Sequence, residues 1–194
     1  ATSGVYTLSV TVSGCGSADT TININVNPLP STPVLVATNN VCTGDSLVFS
    51  TGATALNYLW IAPNGDTILT LVPRLAIGSG LYYTTGSWRL TVINTDSCFS
   101  NTSNTEAVTV LPNPTAIANN DGPICLTGTV TLTGNTQPGA TYQWYDSAFT
   151  TLLATSNTHT ISGLTAGNYT YQYILTLNGC VDTASTVVVV DPVQ

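Results

Sequence analysis

Ala166–Val190 reads AGNYTYQYILTLNGCVDTASTVVVV, and this stretch decides the fold. Apolar and polar residues alternate from Tyr169 to Tyr173, the period of a strand with one buried face. Asn178-Gly179 is a turn signal, Cys180 follows it, and Val187–Val190 is a second strand of unbroken β-branched residues. Ser3–Val26 (SGVYTLSVTVSGCGSADTTININV) and Gly86–Val110 (GSWRLTVINTDSCFSNTSNTEAVTV) share the design. Each opens on a small residue, sets an aromatic near its start (Tyr6, Trp88, Tyr169), places a cysteine after the first strand (Cys15, Cys98, Cys180) and runs on towards proline. Recurrence of this kind marks a repeat architecture.

Residues 1–28 hold only one such pair, Val5–Val12 and Thr20–Val26, and the alternation in Thr21–Val26 predicts one buried face. Two strands are not independently stable, so residues 1–28 are expected to be the two closing strands of an incomplete domain. Asn27-Pro28-Leu29-Pro30 then stiffens the chain. Residues 31–112 hold a complete unit. Strands are expected at Pro33–Ala37, Ser46–Ser50, Tyr58–Ile61, Thr67–Leu71, Arg74–Ile77, Trp88–Ile93 and Ala107–Leu111, with turns at Val41–Asp45 and Pro63–Asp66. Pro112-Asn113-Pro114 is a second stiff linker, and residues 115–191 repeat the plan. Ile124-Cys125-Leu126-Thr127-Gly128 matches Val41-Cys42-Thr43-Gly44, and Tyr142-Gln143-Trp144-Tyr145 matches Tyr58-Leu59-Trp60-Ile61.

About seven short strands over ~80–100 residues, with no sustained helical period, predict an all-β chain of tandem immunoglobulin-like β-sandwich domains. Trp60 and Trp144 are expected between the sheets. Tyr6, Trp88 and Tyr169, opening the sixth strand in the manner of a tyrosine corner, complete the expected core aromatics.

Composition narrows the function. Charged residues are 6% of the chain, the only cations are Arg74 and Arg89, and the net charge is −7. Nucleic acid and anionic membrane surfaces both need clustered Lys and Arg, and no run approaches the ~20 apolar residues of a spanning helix. Hydrophobic residues at 43% suffice for packed cores. Five cysteines without CxxC or Cys–His clustering point to an oxidising, extracellular setting and away from a metal site. His159, the only histidine, has no nucleophile or orienting partner nominated by the sequence, and is read as an outward-facing surface residue. The carboxylates are scattered, so no acid–base pair is proposed and no enzyme is expected. Asp and Asn in turns offer oxygens to Ca²⁺, but the same residues serve Asx turns, and no cofactor is assigned. Exposed aromatics at Tyr82-Tyr83 and Trp88 would be the signature of a carbohydrate- or ligand-binding module; an accessory part of a secreted enzyme is a further alternative.

Cys-x-Gly at the first turn, Tyr-x-Trp on the third strand, Gly-x-Tyr opening the sixth and Asn-Gly-Cys near its end resemble the immunoglobulin-like (PKD/Ig-like) repeats of large Bacteroidota surface proteins. Those proteins are exported by the type IX system and include gliding-motility adhesins. The resemblance is looser in 31–112, where Trp88 replaces Tyr and Asp96-Ser97-Cys98 replaces Asn-Gly-Cys. It implies an extracellular, cell-surface role as adhesin, stalk or filament. The implied partners are neighbouring Ig-like repeats or identical subunits, and surface glycans. The resemblance also implies O-glycosylation at the hydroxyl residue after Asp, which here means Thr20, Ser46, Thr67, Ser147 and Thr183.

The cysteines admit two pairings. Cys42 and Cys125 precede the second strand and Cys98 and Cys180 follow the sixth, so each pair lies at opposite ends of one sandwich. A disulfide tolerates Cα separations of only about 7 Å. In a head-to-tail array Cys42 would instead meet Cys180 as an inter-domain bridge across Pro112–Pro114, leaving Cys15, Cys98 and Cys125 for partners outside the sequence. The alternative is Cys42–Cys98 with Cys125–Cys180, inside the domains.

Overall fold

The computed structural model describes residues Thr2–Pro192 and contains strands and turns but no helix among them. The chain opens with a hairpin, β1 (Gly4–Val12) and β2 (Gly16–Ile24), paired in register from Gly4↔Ile24 to Val12↔Gly16. Eight strands follow: β3 (Val36–Ala37), β4 (Asn40–Cys42), β5 (Leu47–Ser50), β6 (Asn57–Ile61), β7 (Thr67–Thr70), β8 (Arg74–Ile77), β9 (Gly86–Ile93) and β10 (Glu106–Leu111). Eight more complete the chain: β11 (Ala118–Asn120), β12 (Ile124–Cys125), β13 (Thr129–Gly134), β14 (Thr141–Asp146), β15 (Leu152–Ala154), β16 (Thr158–Ser162), β17 (Gly167–Leu177) and β18 (Cys180–Asp191).

The two sets have one topology. The first forms sheets β3-β5-β8 and β4-β10-β9-β6-β7; the second forms β11-β13-β16 and β12-β18-β17-β14-β15, the same order strand for strand. Three strands face five, an immunoglobulin-like sandwich in each case. Each set has eight strands, one more than the sequence predicts, because the first-turn segments contain the short strands β4 and β12. These pair in parallel with the end of the closing strand, Val41↔Val110 and Ile124↔Val190. The first strand of the first set is also shorter than expected: only Val36–Ala37 pairs.

Burial follows the two-residue period of the strands. In β6 the burial alternates so that Tyr58 and Trp60 are interior, and in β17 Tyr171, Tyr173 and Leu175 are interior. Trp60 and Trp144 are both 0% exposed, each on the strand between the sixth strand and the edge of the five-stranded sheet. Trp144 packs with Val130, Leu132, Tyr173 and Val188. Trp88 is buried as expected, while Tyr169 is half-buried against the second core.

Three expectations fail. Tyr6 is not a core residue but 47% exposed, and every residue of β2 is exposed, so the alternation of Thr21–Val26 has no buried face here. The pattern is that of an interior face, but burial needs a second layer that this hairpin does not have. His159 faces inward, not outward. It lies opposite Leu132 across β13–β16, and directly opposed residues share a face; His159 is half-buried beside the fully buried leucine.

By contact the chain divides into two compact units. One comprises residues up to Thr38, Leu47–Ile77 and Thr85–Val108; the other comprises Asn39–Ser46, Gly78–Thr84 and the residues from Thr109 onward. The first-turn segment of the first sandwich thus groups with the second unit.

Candidate functional site: a bridged turn and an open hairpin face

Cys180 stands at the start of β18 because Asn178 and Gly179, at φ 53° and 88°, reverse the chain there. Gly accepts this left-handed backbone freely and Asn tolerates it. Cys42 ends β4. Its sulfur is bonded to that of Cys180 at 2.05 Å, with Cα atoms 5.5 Å apart. The bridge lies inside the second compact unit, since Asn39–Ser46 belongs there. Neighbouring bonds fix the Cys42 turn: Thr43 donates its N–H and its hydroxyl to Leu111 O at 2.8 and 3.0 Å, Asn113 Nδ2 donates to Thr43 O at 2.8 Å, and the Tyr83 hydroxyl donates to Cys42 O at 2.8 Å.

The alternative pairing of Cys42–Cys98 with Cys125–Cys180 is not formed. Cys125 lies beside Asp191, the last residue of β18, whereas Cys180 is its first. At about 3.3 Å per residue the two ends of β18 are roughly 35 Å apart, far beyond the reach of a disulfide. Cys15, Cys98 and Cys125 carry free thiols. The Cys98 turn reaches the same reversal as Asn178-Gly179 by other means. Ser97 takes φ 63°, and Asn94 Oδ1 accepts from the N–H groups of Asp96 and Cys98 at 3.0 and 2.9 Å.

The second feature is the exposed face of β1–β2. Leu8, Val10, Val12 and Ile22 are 62%, 53%, 56% and 63% exposed. Tyr6 and Tyr169 make the same local bond, hydroxyl to the carbonyl four residues upstream: Thr2 O at 3.0 Å and Thr165 O at 3.2 Å. The corner of an immunoglobulin-like sixth strand is therefore present in the hairpin although its core is not.

The remaining predicted positions are dispersed. Thr20, Ser46, Thr67, Ser147 and Thr183 are all exposed. Trp88 is fully buried, so it cannot serve as a ligand-stacking aromatic; Tyr82 and Tyr83 are half-buried, and Tyr83 is engaged in holding Cys42. Among the described residues no three His, Cys, Asp or Glu side chains gather as a metal site. Carboxylates instead tie loops. Asp182 Oδ2 accepts from Ala116 N at 2.7 Å and Asp121 Oδ1 from Thr131 N at 2.7 Å. The Thr150 hydroxyl and N–H, at 2.6 and 2.8 Å, hold the Asp146 carboxyl down at about 2, the side-chain bond being the largest cause. The sequence signals these as Asx turn chemistry but does not say which amide each carboxylate reaches.

Comparison with known proteins completes the description. No curated protein matches the sequence. Among solved structures, three N-terminal domains of the bacteriophage RB49 highly immunogenic outer capsid protein are 18% identical, with a TM-score of 0.42, over 82% of this chain and 59% of that one. This chain therefore spans less than two thirds of that structure. Extracellular domains 3–5 of Drosophila OTK are 15% identical, TM-score 0.45, over 97% of this chain and 71% of that one. Fibronectin(III)-like modules of Clostridium thermocellum CbhA are 10% identical, TM-score 0.48, over 82% and 95%. Residues 112–192 match the model of the CHU_C-associated Ig-like domain. Residues 112–192 are thus similar to the CHU_C-associated Ig-like domain, and the first sandwich shares their strand order.

Proposed function

We propose that the chain is a structural repeat segment of a large secreted cell-surface adhesin, stalk or filament, with no catalysis of its own. The observation that carries this reading is the use of one strand order twice, with Trp60 and Trp144 at equivalent interior positions. A module iterated along a chain with proline-rich connections serves extension more readily than chemistry. Neighbouring repeats are its partners, and the cell surface reached by type IX export is its location. Glycans on Thr20, Ser46, Thr67, Ser147 and Thr183 would supply the hydration that a 6% charged surface lacks; their exposure supports this.

Electron microscopy of the protein released from its native surface tests the role. Extended particles built of beads of sandwich size are expected; a compact globular particle would sink it. Peptide mass mapping of the same native material tests the glycans: peptides carrying Thr20, Ser46, Thr67, Ser147 and Thr183 are expected to be heavier by sugar units, and unmodified peptide masses are the opposing result.

A further inference from the structure

The open hairpin and the free thiol of Cys98 are each half of an arrangement that the rest of the chain shows complete. In β17–β18, Gly167 pairs with Val190 and Tyr169 with Val188; in β1–β2, Gly4 pairs with Ile24 and Tyr6 with Ile22. The registers coincide. In β17–β18 the face that follows, Tyr171, Tyr173, Leu175, Val188 and Val190, is buried against Val130 and Leu132 of β13 and Trp144 of β14. In β1–β2 the same face, Leu8, Val10, Ile22 and their neighbours, lies open. What covers it must resemble what covers β17–β18. A second copy of this chain could offer only its own open β1–β2 face, which carries no tryptophan, because its Trp60, Phe49, Leu132 and Trp144 are already fully buried.

The thiol points to the same body. In both sandwiches the first-turn cysteine sits at the end of the closing strand, Cys42 beside Leu111 and Cys125 beside Asp191. At Leu111, where the Pro112–Pro114 linker begins, the β17–β18 turn supplies Cys180 to Cys42. At the preceding linker the β9–β10 turn takes the equivalent place: Asn94 Nδ2 donates to Pro28 O at 3.3 Å, and Asn94 also anchors Cys98 N at 2.9 Å. A half-sandwich completed by β1–β2 in the β17–β18 register would set its first-turn cysteine beside Asn25, the counterpart of Asp191, three residues before the Pro28 carbonyl that Asn94 reaches.

We propose that a third Ig-like half-sandwich, distinct from the two in this chain, docks on the β1–β2 face. It places a third-strand tryptophan on Leu8 and Val10, and bonds its first-turn cysteine to Cys98. The two thiols give up two protons and two electrons to a disulfide oxidant, which is reduced to a dithiol as the S–S bond forms. The inference rests on the repeat architecture but not on a mechanical role, so a compact particle in the microscope would leave it standing.

The test uses the protein from its native surface, alkylated without reduction and digested with chymotrypsin. The Cys98 peptide is expected in disulfide linkage to a Cys-x-Gly-type peptide absent from these 194 residues. Hydroxyl-radical labelling of Tyr6, Leu8 and Val10 is expected to be several-fold weaker in that material than in the isolated 194-residue chain. Cys98 recovered as a free alkylated thiol, or linked to Cys15 or Cys125 of the same or a second copy, overturns the proposal. So does equal labelling of the hairpin in the two preparations.

Discussion

The two sandwiches place a tryptophan at the same interior point and fill the space around it differently. Trp60 lies opposite Leu90 of the sixth strand, and Trp144 lies opposite Tyr173. On the second strand the first core has Phe49 and Thr51 where the second has Leu132 and Gly134. The first core gains its remaining bulk from Phe49 against Trp88, with ring centroids 4.5 Å apart. The second gains it from Tyr173, 4.8 Å from Trp144. The tyrosine ring fits because Gly134 has no side chain: a Cβ there would stand 2.1 Å from the ring. Both cores are filled around the tryptophan, but from different positions, as expected of interiors packed to a fixed density.

Removing the shared residue should have the largest effect. Trp60→Ala and Trp144→Ala should each cost about 3–5 kcal/mol, the range for a fully buried aromatic. Hydrogen exchange by strand should show Trp60→Ala deprotecting β9 and Trp144→Ala deprotecting β17. Equal small effects from both would mean that neither indole organises a core. The compensating residue comes next. Gly134→Ala should cost about 1–3 kcal/mol by overpacking, read from urea midpoints. Adding Tyr173→Leu, which restores the first core's arrangement of an aliphatic opposite the tryptophan, should return part of that loss.

Alkali separates the cores by chemistry. Burial, then the charge of Tyr142, pushes the Tyr173 phenol up to about 12, and burial raises Tyr171 as well. A phenol whose folded pKa lies above its ordinary value of about 10 gives its full stabilisation below that pH. It loses that stabilisation as pH rises towards 12. The second core should therefore lose exchange protection between pH 10 and 12, and Tyr173→Phe should remove most of that slope. A slope unchanged by Tyr173→Phe would assign it elsewhere.

Much of this was legible in the sequence, and the remainder has a common cause. The third-strand tryptophans and the Gly-x-aromatic hairpins have local signatures, so the sequence places β6, β14, β9 and β17 within a residue or two. It does not place β4 and β12, because two or three residues beside a turn signal carry no period; they exist through pairing with β10 and β18. The inward face of His159 depends on register with Leu132, and the exposure of Tyr6 on the absence of a covering layer. Neither is a property of the strand concerned. The exchange of Phe49 and Trp88 for Tyr173 and Gly134 is likewise visible only when both sheets are in place.

Trp88→Phe should produce the smallest change, and its sign matters most for the comparison. The indole nitrogens of the shared tryptophans are used: Trp60 Nε1 donates to Thr70 Oγ1 at 2.9 Å and Trp144 Nε1 to Asn157 O at 3.3 Å. Trp88 Nε1 is buried with no partner. An unsatisfied buried donor costs about 1–3 kcal/mol, and deleting it offsets the apolar area lost with the smaller ring. Trp88→Phe should therefore lie within about 1 kcal/mol of the parent by urea unfolding. Trp60→Phe, which gives up a made hydrogen bond along with the area, should be clearly worse. If the two substitutions cost the same, the nitrogen of Trp88 carries no penalty, and its burial beside Phe49 is a matter of volume alone.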